Sequence, residues 1–524
     1  MQTPLLLGIL LDTRAKLLCS AIILAICLAI SPYLAAQTRV TTWHYQNSRN
    51  SVNATETRLT LANVNATTFG KLFSDPVDGF VVGHPLYLPA VSIPGQGTHN
   101  VVYLATMNDS VYAFDANTPG APLWQTSLLT FSGPGATPVP ASVPGCVATN
   151  RWTQIGVVST PVINLANSTI YVVAETLENS RVVHRLHALN IATGAEQPGS
   201  PVAITAKYVL NGVTYTFMDR YQVNRPGLLL VNNHVYIAMG SPGCDTSARG
   251  WVLSYNANTL QQDGTFDVEP GGKFAAIWQK GAGLSADSTG HIYGETGEGT
   301  FVSKTNLAMS VFKLTQGTGV ITLADWFTPF NWQLLNSNDL DLNDGVLVLP
   351  PQPGAHPNEA IGLGKQGTIY LLDRNNMGHI CSSTCTTSNT QIIQELKTAV
   401  GGESGTPIFF NGKLYFTGGS TVSVFAMNNG LIVTPRTQSG FVATGGHAII
   451  TANGNSNAIL WNLGQSGVLW AMDAKTLKVL YTSRQAPNGR DTVPPTAHFA
   501  TPIVADGELF IGTQSTLEVY GLLP

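Results

Sequence analysis

The chain has 524 residues, a formal net charge of −4, and only 11% charged against 44% hydrophobic residues, a balance that excludes disorder, which needs high net charge and few apolar side chains. Gly (52) and Pro (30) are frequent, which argues against helical bundles and coiled coils, and Lys and Arg form no basic run to match a nucleic-acid backbone. Length alone does not demand several domains, because all-β rings and barrels run long as one.

At the N terminus, Arg14 and Lys16 precede an apolar stretch over 17–36, the order of a secretory signal. Cleavage after Ala36 is expected, leaving a mature chain from Gln37 that is periplasmic or extracellular. Leu34 is large for a position so near the cut, so an uncleaved N-terminal membrane anchor stays open as the alternative. No second such run follows, and no membrane span is expected once the signal is removed. Of six cysteines, Cys19 and Cys27 lie in the signal, and Cys146, Cys244, Cys381 and Cys385 remain. An even number outside the cytosol points to two disulfides. Cys381 and Cys385 share the short loop HICSSTCTT, which favours their pairing and leaves Cys146 for Cys244. A zinc reading of that CxxxC has only His379 close by and lacks further ligands. There is no CxxCH, hence no covalently attached haem.

From residue 101 onward one unit recurs: a T-P turn, an apolar strand, a Gly/Asn turn, a strand of type IYVxxG, a polar turn, and a strand with a YALDA-like pattern. Copies fall at 101–124, 159–194, 227–259, 291–319, 359–378, 405–430, 458–476 and 500–523. Period-two alternation over four to seven residues between Gly, Asn, Asp and Pro marks short antiparallel strands. A spacing of about 45 to 75 residues is the scale of a four-stranded propeller blade. The expected fold is therefore all-β, an eight-bladed β-propeller. The last copy lacks an outer strand, and FGKLFSDPV (69–77) reads as the strand that completes it, closing the ring and removing unpaired edges. The organisation expected is a signal at 1–36, an arm at 37–66 lying on the ring, and a propeller over 67–524. Asp115, Asp373 and Asp473 recur at one point of the unit and read as turn residues.

In a propeller the inner strands and the loops of one face converge on the axis. Three segments are too polar for plain blade turns: SPGCDTSARG (241–250), GETGEGTF (294–301) and NDLDLNDG (338–345). Asp245, Glu298, Asp339 and Asp341 can meet there as hard oxygen ligands for Ca²⁺ or Mg²⁺; solvated turns are the alternative. The spacing over 339–350 is not an EF-hand, because Asp344 and Pro350 replace the required Gly and Glu. GLGKQG (362–367) lacks the frame of a P-loop, and neither a Gly-x-Ser-x-Gly elbow nor His-Glu-x-x-His is present.

The repeat and these segments together resemble the quinoprotein alcohol dehydrogenases, eight-bladed propellers that hold pyrroloquinoline quinone (PQQ) and Ca²⁺ on the axis. GSPGCDTSARG (240–250) is similar to the family's Gly-Ser-x-Gly-x-Glu-x-x-x-Arg-Gly, and the resemblance makes Asp245 a metal ligand. IYGETGE (292–298) is similar to the strand ending in Thr-Gly-Asn, which makes Glu298 the second ligand. LDLNDG and the later GKQGTIYLLDR resemble the Trp-Asp-Tyr and Lys/Arg-Asn-Gly stretches, implying Asp341 as catalytic base and Lys365 as the cation beside the quinone oxygens. By the same resemblance Trp278 carries the quinone ring and Arg151, in CVATNR (146–151), binds a quinone carboxylate. The chain departs from the pattern in having Gly145 and Cys146 for two adjacent cysteines, Glu298 for Asn, and no Trp before Asp341. The resemblance implies an exported oxidoreductase that oxidises a small alcohol or sugar with PQQ and Ca²⁺ and passes electrons to a separate acceptor. The alternative function is a non-catalytic propeller binding protein or polysaccharide in the cell envelope.

Overall fold

The computed structural model describes residues 37–143, 152–243, 247–381, 385–402, 404–440, 446–464 and 466–524. The N-terminal stretch read as a signal or anchor, and Cys146, Arg151, Cys244 and Asp245, lie outside these residues. Eight antiparallel four-stranded blades form a ring, with innermost strands beginning at Leu86, Val162, Leu229, Ser285, Leu347, Ile408, Ala448 and Ile503. The ring closes as the repeat implies. Phe69–Pro76 pairs antiparallel with Thr516–Leu522 and is the outer strand of the eighth blade.

The middle strands are buried on both faces, because each blade is packed between two others. Ile369–Asp373 is buried from Ile369 to Leu372 without alternation, and so is the apolar end of Gly97–Ala105. Continuous apolar runs are what such two-sided burial selects. By contrast the outer strand Leu431–Gln438 has one buried residue, Ile432. The core accordingly lies between blades: Tyr171 and Val173 of blade 2 pack with Val235 and Ile237 of blade 3, and Ile361 and Leu371 of blade 5 with Leu414 and Phe416 of blade 6. The recurrent aspartates are turn formers. Asp115, Asp373 and Asp473 each accept a hydrogen bond through Oδ1 from the backbone amide two residues on, at 2.8, 2.8 and 2.7 Å.

Residues 40–53 reach the innermost strand of every blade. Val40 exchanges backbone bonds with Tyr87 of blade 1, and the Ile163 amide of blade 2 donates to the Thr41 carbonyl. Asn47 serves blades 3 and 4 through Leu230 and Ala286, and Ser48 serves blade 5 through Val348. Asn50 holds Phe409 of blade 6, the Ser51 carbonyl holds Ile450 of blade 7, and Asn53 and Tyr45 hold Val504 of blade 8. One segment thus plugs the axial channel from the end carrying the turns between first and second strands. The three polar segments belong to the opposite end, since they precede innermost strands or join second strands to third.

Cys381 and Cys385 form a disulfide, which settles the CxxxC as a bridge instead of a zinc site. His379 lies elsewhere, paired with Asp325 at 2.9 Å and stacked on Trp326. Among the described residues no helix is long and apolar enough to cross a membrane.

Candidate functional site

At the open end of the axis, Glu298 from blade 4 meets Asp339 and Asp341 from the loop leading into blade 5, with one carboxylate oxygen of each within 4.8 Å of the others. The backbone makes this approach possible. Gly297 passes so close to Asp341 that a β-carbon there would lie 2.8 Å from Oδ1, and the Glu298 amide donates to that oxygen at 2.9 Å. Asp339 adopts a left-handed φ of 53°, an uncommon conformation that Asp tolerates better than most residues. The short helix Trp332–Ser337 precedes this loop, and its Asn336 accepts from the Gly299 amide at 2.7 Å.

Lys365 is fixed from the same loop, its amide donating to the Asp341 carbonyl at 2.9 Å. Its Nζ lies 2.8 Å from Asp341 Oδ2 and pairs also with Asp339. Burial opposes the charged form of Lys365, yet Asp341 and Asp339 outweigh it and raise its pKa. Glu298 is pushed up to about 7, first by burial and then by Asp341 and Asp339. Three carboxylates face one ammonium, and the surplus negative charge adds to the larger effect of burial on Glu298. An all-oxygen donor set with surplus negative charge fits a hard cation such as Ca²⁺. Behind it, Glu295 is buried and accepts from the Gly345 and Leu363 amides at 2.8 and 2.9 Å, tying the blade 5 elements to blade 4.

Trp278 lies on the loop entering blade 4, close to the trio through backbone contact: the Gly297 amide donates to the Ala276 carbonyl at 3.0 Å. Its ring is partly buried, and the Arg225 guanidinium carbon sits 5.9 Å from its centre. Arg225 is 2% exposed. It donates to the His498 carbonyl at 3.3 Å, while its Nε has no acceptor among the described residues. Burial lowers its pKa to about 10. A buried cation with so little compensation beside an aromatic platform fits the carboxylates of an anionic planar cofactor.

The structure therefore gathers Glu298, Asp339, Asp341 and Lys365 into one cluster and places Trp278 next to it. Asp339 belongs to the oxygen-ligand reading made from residue chemistry, although the motif resemblance assigns it no role. Arg225 and Glu295 carry no motif. Arg225 is signalled only by a charged residue before a blade-entry proline, and Glu295 only by a charge inside an otherwise apolar strand.

No family model matches the sequence, and no curated protein matches it. Solved structures do. A quinohemoprotein alcohol dehydrogenase of Pseudomonas putida HK5 superposes with a TM-score of 0.60 at 13% identity, over 93% of this chain and 80% of that one. A europium-containing methanol dehydrogenase superposes with a TM-score of 0.61, again at 13% identity, over 93% of this chain and 98% of that one. At such identity the likeness is one of fold.

Proposed function

We propose that the protein is an exported PQQ-dependent oxidoreductase acting on an alcohol or sugar, with its site at the open end of the axis. The convergence of Glu298, Asp339 and Asp341 around Lys365 carries this reading; the charged-then-apolar N terminus supports export. Glu298, with Asp245 from the neighbouring segment, would hold the cation. Ca²⁺ suits these oxygen donors, and a trivalent ion of the kind contained in the europium methanol dehydrogenase suits their charge. When bound, PQQ would supply the two-electron acceptor for hydride from the alcohol carbon.

The remaining work falls to the chain. Trp278 and Arg225 would bind and orient the planar anion, with Arg151 as a further cation. Asp341 would take the hydroxyl proton at Oδ2, the oxygen not engaged by the Glu298 amide. Lys365 holds that oxygen in place and offsets charge that develops beside it. Two electrons per turnover then leave to a separate acceptor.

The purified full-length chain should bind PQQ with an affinity that Ca²⁺ increases, followed by absorbance and tryptophan quenching. Asp341→Asn should retain binding and lose about 10²- to 10⁴-fold in turnover, the usual worth of a positioned general base. Failure of the wild-type chain to bind PQQ with either cation would sink the proposal and direct attention to protein or glycan partners.

A further inference from the structure

The loop that enters blade 2 carries Trp152, and this indole lies against Trp278. Their ring centres are 6.1 Å apart and their planes 30° from parallel. Trp152 is 7% exposed. It packs with Val82, Met107, Val139, Ile155 and Val158, and its Nε1 has no acceptor among the described residues. A tryptophan kept only for packing usually finds a partner for that N–H, because leaving a buried donor unpaired is costly. A second donor without an acceptor among the described residues, Arg225 Nε, belongs to a guanidinium whose carbon sits 5.9 Å from the Trp278 ring centre.

We infer that Trp152 and Trp278 form the two walls of a slot for a flat, anionic aromatic ring system, with Trp152 covering the face that Trp278 leaves open. This rests on the quinone reading above and deepens it by assigning the second wall. Carbon atoms in contact lie about 3.5–4.0 Å apart, so a ring between two parallel indoles needs roughly 7 Å from wall to wall. The 6.1 Å between ring centres bounds the present gap from above, so the two indoles must part and flatten as the ring enters. The orphan donors define the ligand's charge. Among the described residues Trp152 Nε1 and Arg225 Nε each lack an acceptor, and carboxylates on the rim of a planar ring supply acceptors in the ring plane. Chain geometry places the acidic trio beside the slot, since Ala276, two residues before Trp278, holds the amide of Gly297, one residue before Glu298.

Titration of the full-length chain with PQQ tests this, read by tryptophan quenching and by the circular dichroism induced in the cofactor's absorption band. Trp152→Leu should weaken PQQ binding at least tenfold and reduce the induced dichroism. Trp152→Phe, which keeps a ring and loses the donor, should weaken it about threefold and lose part of the quenching amplitude. Terbium affinity of the acidic trio, followed by directly excited terbium luminescence, should be unchanged in both variants, which separates loss of the wall from loss of fold. Unaltered affinity and dichroism in Trp152→Leu, with wild-type binding intact, would overturn the second wall alone. Should the leucine variant fail to bind terbium, Trp152→Phe decides: wild-type affinity with full quenching overturns the inference. Absence of PQQ binding by the wild-type chain would overturn the quinone reading and the slot together.

Discussion

Two buried arginines on the axis contrast the two ends of the ring. Arg49, on the plugging segment, is fully buried, and each guanidinium nitrogen has an acceptor. Nε donates to the Leu284 carbonyl at 2.8 Å, Nη1 to Thr42 and the Trp43 carbonyl at 2.7 and 2.9 Å, and Nη2 to the Leu228 carbonyl at 3.3 Å. Arg225, at the opposite end, has among the described residues one long bond and an Nε without an acceptor. Both lose charge stabilisation to burial, which lowers their pKa values to about 9 and about 10. Only Arg49 is compensated by the fold. Among the described residues the arginine of the plug is satisfied at every nitrogen and the arginine of the opposite end is not.

The sharpest way to break this comparison is Arg49→Ala. It would leave carbonyls from blades 3 and 4 and from the plug itself buried without donors, a loss of about 3–5 kcal/mol by analogy with broken buried polar networks. Urea unfolding should show the drop, and a midpoint within error of wild type would remove the plug from the stability argument. At the open end the largest stability effect should come from added ligand. A cation at 100 times its Kd contributes about 2.7 kcal/mol, and Ca²⁺ or Tb³⁺ should raise the unfolding midpoint accordingly. The rise should vanish in Glu298→Ala. If the variant responds as wild type does, the acidic trio is not where the cation binds.

The blades were legible in the sequence because each repeats a local signal, a proline-led strand followed by Gly/Asn turns, and the two-sided burial of middle strands only strengthens their apolar runs. Glu298, Asp339 and Asp341 were legible as a candidate cluster because they stand in polar segments at blade junctions, whereas Lys365 was singled out only by the family resemblance. Trp152 and Arg225 were not. Each is one aromatic or basic residue on a blade-entry loop, and its meaning comes from an axis where loops distant in sequence meet. Arg49 and the plug escaped for the same reason: residues 37–66 read as an arm on the ring, with nothing local to show contact with all eight innermost strands.

Where the plug lies against blades 1 and 7, three histidines are buried together. His44 lies 6.1 Å from His84 and 5.4 Å from His447 between ring centres. Burial is the main cause that lowers His84 and His447 to about 3, with His447 and Arg49 adding to the effect at His84. The folded chain therefore holds them neutral at pH values where the unfolded chain protonates them. Their stabilisation is complete above about pH 6.5 and is lost as pH falls toward 3. His84→Phe should remove its share of that slope, making the wild-type chain lose about 2 kcal/mol more than the variant between pH 7.5 and 5. Urea midpoints at the two pH values measure it, and parallel slopes would mean that His84 is not held neutral by burial.

Arg225→Met gives the smallest change in stability and the most direct contrast with Arg49. Removing a desolvated cation that the fold scarcely compensates, while keeping most of its volume, should leave stability within about 1 kcal/mol of wild type or raise it slightly. The same substitution should weaken PQQ binding, because the slot loses a charged donor that burial has already stripped of water. Gain or neutrality in stability coupled to loss of ligand is the signature of a group retained for binding. A large fall in stability for Arg225→Met with PQQ affinity unchanged would place Arg225 in the same class as Arg49, and the two ends of the axis would then differ in shape alone.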